Sequence, residues 1–374
     1  MRHVYLHVPF CRRRCSYCDF SIAVRRTIPH RRYVEAVQAE YRIRISAGDW
    51  DAEPLETLYF GGGTPSLLAP EAVGDLVALL SAEAPGPPSE VTLEANPDDV
   101  TLKAARAWRA CGVNRVSLGV QSFNARVLDW MHRTHAPSQA RRAVEALREA
   151  GFENVSLDLI FALPDAVAGD FRQDLEAALA LEPEHLSLYG LSVEPRTPLE
   201  RWIARGRIAP TPEGRYAEEF LLAHECLSAA GFEHYEVSNY AKAGFRSRHN
   251  RAYWKGAPYA GLGPSAHSFA AGVRRWNLAP WAAYERSVSR GELPEAGREV
   301  LAPAQQRLER QYLGLRTSDG ISLDDLPVEA APVIEAALGE GLLRVDRGRL
   351  VATERGWLAL DELAVRLTTS AEGG

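Results

Sequence analysis

Six short apolar runs rich in β-forming residues recur along the first half of the chain: His3–Val8, Thr57–Phe60, Val91–Ala95, Arg115–Val120, Val155–Phe161 and His185–Leu191. Between them, Tyr33–Ile45, Pro70–Leu80, Leu102–Cys111, Ser138–Ala150 and Phe171–Leu181 carry apolar residues at helical spacing. Gly112 and Gly151 close two of these patterns, as suits a helix C-terminus. Strands alternating with helices need crossover connections, and such connections build a parallel sheet. The pattern predicts an α/β fold. Six repeats fall short of the eight that close a full barrel, so an open partial barrel or a doubly wound sheet remains.

In parallel α/β folds, ligands bind at the carboxyl ends of the strands. Here those ends carry a cysteine loop, Gly61-Gly62-Gly63-Thr64, Glu94, Gln121, Asp158 and Tyr189–Glu194. Each has an ordinary structural explanation alone; their succession points to one site. The cysteine loop, VPFCRRRCSYCDF, places Cys11, Cys15 and Cys18 at C-x3-C-x2-C spacing. Three such thiolates can converge on one face of a loop and bind a [4Fe–4S] cube with one iron open, whereas an electron carrier normally uses four. Structural zinc is the alternative. It wants a fourth ligand, which His7 would have to supply from a strand pointing away from the loop.

At 374 residues the chain can bury one large core and a smaller appended domain. A net charge of −6 and an isoelectric point near 6.0 give no support for a nucleic-acid-binding surface. The opening MRHVYLHVPF is too short and polar for a secretory signal, and no run approaches the ~18 apolar residues of a membrane span. Cys111 and Cys226 stand alone in helical patterns, where small buried hydrophobes are the default, so the cysteines do not read as a disulfide framework. A cytoplasmic protein is expected.

The alternation stops after about residue 195. Pro210–Pro212 marks a break, followed by an amphipathic pattern at Tyr216–Ala230 and a segment dense in aromatics and glycine, His234–Phe269. Residues 303–369 read as three helices, a hairpin at Leu342–Val351 turning near Arg347–Gly348, and a further helix. That order resembles a winged helix, but it is not notably basic, which favours covering or docking over DNA binding. The expected domains are a partial barrel (1–195), an extension and linker (196–300) and a mainly helical, winged-helix-like C-terminal domain (301–374).

CRRRCSYC, with Tyr17 before its last cysteine, and GGGTP after the second strand resemble the radical S-adenosylmethionine (SAM) superfamily. In that superfamily the open iron chelates the amino and carboxylate groups of SAM, whose reductive cleavage gives a 5′-deoxyadenosyl radical. YLHVPFC, YFGGGTPS, LEANPDD, VNRVSLGVQSFN and LDLIFALP extend the resemblance to the oxygen-independent coproporphyrinogen III oxidase-like branch over nearly the whole chain. It implies a (β/α)6 partial TIM-type barrel with a helical C-terminal domain. It also implies that Cys11, Cys15 and Cys18 are cluster ligands and that Tyr5, Tyr17, Gly62, Gly63, Thr64, Glu94, Gln121, Arg133 and Asp158 contact SAM. By themselves, Asp158 reads equally as a loop cap and Arg133 as a solvated helix residue.

Two departures separate the chain from true coproporphyrinogen oxidases. Those usually continue as C-x3-C-x2-C-x-C, where this chain has Phe20, and they carry an extension before the first strand. Both differences match the HemW-type haem chaperones, as does His249-Asn250-Arg251-Ala252-Tyr253-Trp254, which fits the H-N-x-x-Y-W motif associated with haem binding there. A histidine beside aromatics is commonly structural, yet His249 can ligate iron while Tyr253 and Trp254 pack on a porphyrin; His267 is a second candidate ligand. The implied cofactors are a [4Fe–4S] cluster, SAM and haem. The implied partner is a haem-acceptor apo-protein, a membrane respiratory enzyme being one candidate, with peripheral membrane contact left open and no nucleic acid. Coproporphyrinogen oxidation and a zinc-stabilised binding module are the alternatives, and whether SAM is cleaved is left open.

Overall fold

A computed structural model describes residues 1–50, 54–82, 86–212 and 214–372, with side chains to 367 in the last helix. The six runs form strands β1 (His3–Val8), β2 (Thr57–Gly62), β3 (Glu90–Ala95), β4 (Arg115–Gln121), β5 (Val155–Phe161) and β6 (His185–Gly190). The helical patterns form α1 (His30–Ser46), α2 (Pro70–Ser81), α3 (Leu102–Ala110), α4 (Pro137–Glu149) and α5 (Phe171–Leu179). The six strands are parallel and neighbour one another in chain order without reversal. A doubly wound sheet reverses its order at a switch point, so the arrangement is the partial barrel.

The strands bury apolar residues in register. Leu118 pairs with Leu157, and Leu157 with Leu186, all fully buried. Each such leucine contributes about 1.5–3 kcal/mol through lost apolar exposure. Residues on the alternate face of the same strands, among them Tyr59, Glu94, Ser117 and Asp158, are polar.

Local periodicity missed the sheet edges. Ala260–Leu262 adds a seventh parallel strand beside β1, and Asn239–Ala241 and Glu233–Glu236 continue antiparallel beyond β6. A three-residue strand has no readable period, and only its pairing with β1 defines it. Helix α6 (Arg215–Ala229) matches the amphipathic pattern predicted there.

The C-terminal part departs from the three helices expected before its hairpin. Helix Pro303–Leu315 is followed by strand Ile321–Ser322, two 3-10 turns and helix Ala331–Gly339. The hairpin pairs Leu343–Asp346 with Arg349–Ala352, and Arg347 and Gly348 take φ of 49° and 77° at its two-residue turn. Leu315, Ile321, Trp357 and Leu363 join the same apolar core as the barrel. The Trp357 indole N–H donates to the Leu315 carbonyl at 2.9 Å. Among the described residues no helix is long and apolar enough to cross a membrane.

Candidate functional site

Cys11 ends a two-residue strand, Phe10–Cys11, that pairs parallel with Ala23–Val24, so the cysteine loop closes on itself. The Ser16 amide donates to the Met131 carbonyl at 3.1 Å, and the Leu199 amide donates to the Ser16 carbonyl at 2.9 Å, tying the loop to the end of helix Ala125–Trp130 and the first turn of helix Pro198–Ala204. All three cysteines line one cavity of about 430 Å³ at the carboxyl ends of the strands. The Thr64 hydroxyl donates to Cys11 Sγ at 3.4 Å, and Arg133 donates to Cys15 Sγ at 3.7 Å. Burial pushes the Cys11 thiol up and the Cys18 thiol up to about 11, with charge repulsion between neighbouring cysteines adding to both. A positively charged metal group offsets such repulsion, and binding it releases the protons.

A tetrahedral zinc draws its ligands to within roughly 4 Å of one another. Among the described residues, no three His, Cys, Asp or Glu side chains form a group of that kind. His7 lies apart from the thiols: its Nε2–H donates to the Ser21 carbonyl at 3.1 Å and its Nδ1 accepts from Tyr5 at 3.2 Å.

The glycine turn after β2 is required by packing. At Gly62, φ is +109° and an added Cβ would lie 2.6 Å from the His7 ring; at Gly63 it would meet the Val8 and Phe10 carbonyls at 2.8 Å. The Gly62 amide donates to the Glu94 carboxylate at 3.0 Å, and the Tyr59 hydroxyl donates to it at 2.9 Å. Burial raises Glu94 to about 7, against the lowering effect of the Tyr59 bond, with Asp158 raising it further. Asp158 is also pushed up by burial, and it accepts from Ser117 at 3.0 Å.

Tyr17, Gly62, Gly63, Thr64, Glu94, Gln121, Arg133 and Asp158 all line the cysteine cavity. Gln121 has φ of 67° beside a register shift in β4, a strained strand end of the kind that clusters at binding sites. The solvated reading of Arg133 is corrected. Its guanidinium is buried, donating to Asn96 at 2.6 Å and the Gly119 carbonyl at 2.7 Å, because the loop after helix Ala125–Trp130 folds it inward. Asn96 and Ser117 were missed. Asn96 stands two residues after Glu94 in LEANPDD, and Ser117 two before Gly119 on β4, so strand alternation was the available signal.

Tyr5 does not line that cavity. It lines a second one, about 870 Å³, together with His7, Tyr253, Trp254 and His267. Gly62, Asp19 and Phe20 line both cavities. His249 lines neither and is 1% exposed. Its Nδ1 bonds the Thr57 hydroxyl at 2.8 Å, and its Nε2 bonds the Tyr253 hydroxyl at 2.8 Å. Burial lowers it to about 3, and Thr57 continues the chain to His3 at 2.9 Å. The structure therefore separates His249 from Tyr253 and Trp254: the aromatics reach a cavity, and the imidazole is engaged behind them.

The "Radical SAM superfamily" profile matches residues 5–178, and the "HemN C-terminal domain" profile matches residues 301–359. A Mycobacterium tuberculosis protein named heme chaperone HemW is 38% identical, over 96% of this chain and 92% of its own length. A Bacillus subtilis protein of the same name is 35% identical over 86% of this chain and 85% of its own. In three dimensions, coproporphyrinogen III oxidase (HemN) from Escherichia coli superposes with a TM-score of 0.82 at 22% identity, over 98% of this chain and 90% of that one. That likeness concerns the fold.

Proposed function

We propose that this chain, which belongs to the HemW family of the radical SAM superfamily, is a cytoplasmic haem chaperone that binds haem and hands it to an acceptor apo-protein. The supporting observation is the pair of adjoining cavities: one collects three thiols and a polar strand-end rim, and the other is walled by aromatics. Cys11, Cys15 and Cys18 would hold a [4Fe–4S] cluster, which when bound supplies an electron and an open iron site.

Around that position, each side chain has a task suited to SAM. The Gly62–Thr64 turn lets a ligand approach the backbone, and Thr64 meets Cys11. Arg133, already anchored by Asn96 and Gly119, presents charge for a carboxylate. Glu94 and Asp158 are acceptors for hydroxyl groups, while Gln121 and Tyr17 close the rim. Tyr5, which lines the second cavity, is read as part of that wall. His249 is assigned as a positioning residue that fixes the Tyr253 hydroxyl.

Anaerobically reconstituted protein should bind haem and transfer it to an apo-haemoprotein. Given reductant, SAM and coproporphyrinogen III, it should form no product at catalytic rates. Turnover to protoporphyrinogen IX without haem transfer would overturn the proposal.

A further inference from the structure

The second cavity contains a histidine that no other group occupies. His267 opens the strand His267–Ala270, with Phe269 two residues on, and both line the cavity. Its ring stacks on Trp276, with centroids 6.0 Å apart and planes at 26°, so its orientation is held from one side. Among the described residues neither ring nitrogen makes a hydrogen bond. His249 contrasts at every point: it is buried, both nitrogens are engaged, and it lines neither cavity.

Two further side chains lack the partners that their chemistry calls for. Phe20 is 57% exposed where the two cavities meet, leaving a large apolar ring uncovered. Arg310, on helix Pro303–Leu315, donates only to the Gln306 carbonyl, at 3.2 Å, and has no carboxylate partner among the described residues. Its neighbour in the wall, Arg274, is taken by Glu299 and Glu309. The remaining acid in the lining, Asp19, also lines the cysteine cavity, which Arg310 does not, and it makes no ion pair with Arg310. An imidazole, an aromatic face and a free guanidinium around about 870 Å³ match a flat, apolar, iron-centred ligand with carboxylate arms. That volume lies inside the roughly 300–1,000 Å³ range of small-molecule sites.

From these placements we infer that haem binds in the second cavity, with His267 rather than His249 as the iron ligand, Phe20 against the macrocycle and Arg310 on a propionate. The inference rests on the haem-carrying reading above and adds the site to it.

The test titrates ferric haem into the full-length protein and its His267→Gly and Arg310→Met variants, followed by absorption and resonance Raman spectra. His267 is exposed, and unchanged circular dichroism would establish that its variant folds. His267→Gly should bind haem roughly tenfold or more weakly and lose the iron–imidazole signature, and free imidazole should restore that signature. Arg310→Met should weaken binding while leaving the iron spectrum unchanged. Wild-type affinity and spectrum in His267→Gly would overturn the ligand assignment alone, and wild-type affinity in Arg310→Met would overturn the propionate contact. A wild-type protein that binds no haem would overturn both this inference and the function from which it proceeds.

Discussion

Substituting Gly62 by alanine separates two costs that the glycine turn avoids. The first is conformational: at φ +109° an L-residue is strained, costing about 1–2 kcal/mol. The second is steric, because the new Cβ would lie 2.6 Å from a ring atom of His7. That ring is held on both sides, by the Ser21 carbonyl and the Tyr5 hydroxyl, so it cannot turn away without losing hydrogen bonds. Overpacking of this kind costs about 1–3 kcal/mol. Gly151 supplies the control: its φ is +85°, and an added Cβ would meet nothing within 4 Å. Gly151→Ala should therefore lose only the conformational part, and Gly62→Ala should lose about 2–5 kcal/mol in all. Urea unfolding of the two variants side by side, read as midpoint shifts with a common slope, measures the difference. The reasoning fails if Gly62→Ala is no less stable than Gly151→Ala.

Glu94 makes stability depend on pH. Its carboxyl is raised from 4.5 to about 7 in the folded chain, so between those values the unfolded state releases a proton that the folded state keeps. Stability from this group is therefore complete below about pH 4.5 and is lost as pH rises towards about 7. Glu94→Gln should flatten the fall of melting temperature across that window, and an unchanged slope would show that Glu94 does not carry it. At the cluster site, serine at Cys11, Cys15 or Cys18 should strip iron and sulfide from anaerobically reconstituted protein. Serine at Cys111 or Cys226 should leave both at wild-type levels. Full iron and sulfide in any of the three triad variants would remove that cysteine from the ligand set.

Much of the barrel was legible because strand and helix periods are local. The six runs became β1–β6 within a residue or two, and the motifs at their ends converge because parallel strands carry all their carboxyl ends to one side. What stayed hidden depends on partners distant in sequence. Ala260–Leu262 is a strand only because β1 offers an edge more than two hundred residues earlier. Arg133 reads as a surface arginine until Asn96 and Gly119 are brought to it.

The amino-acid sequence by itself determined that a three-cysteine loop sits at the end of the first strand of a parallel α/β sheet, among polar strand ends. Both the spacing of ligands within a loop and the alternation of elements are properties of consecutive residues. Only the tertiary structure decided which aromatic and imidazole groups face open space. His249, Tyr253 and Trp254 are neighbours in one motif, yet the histidine turns into a buried chain with Thr57 and His3 while the other two reach the second cavity. His267 reaches it from another strand. His249 and Tyr253, four apart, share one face of the helix and are joined by a hydrogen bond, and which of them reaches open space is set by the elements packed against that face, which no local pattern records.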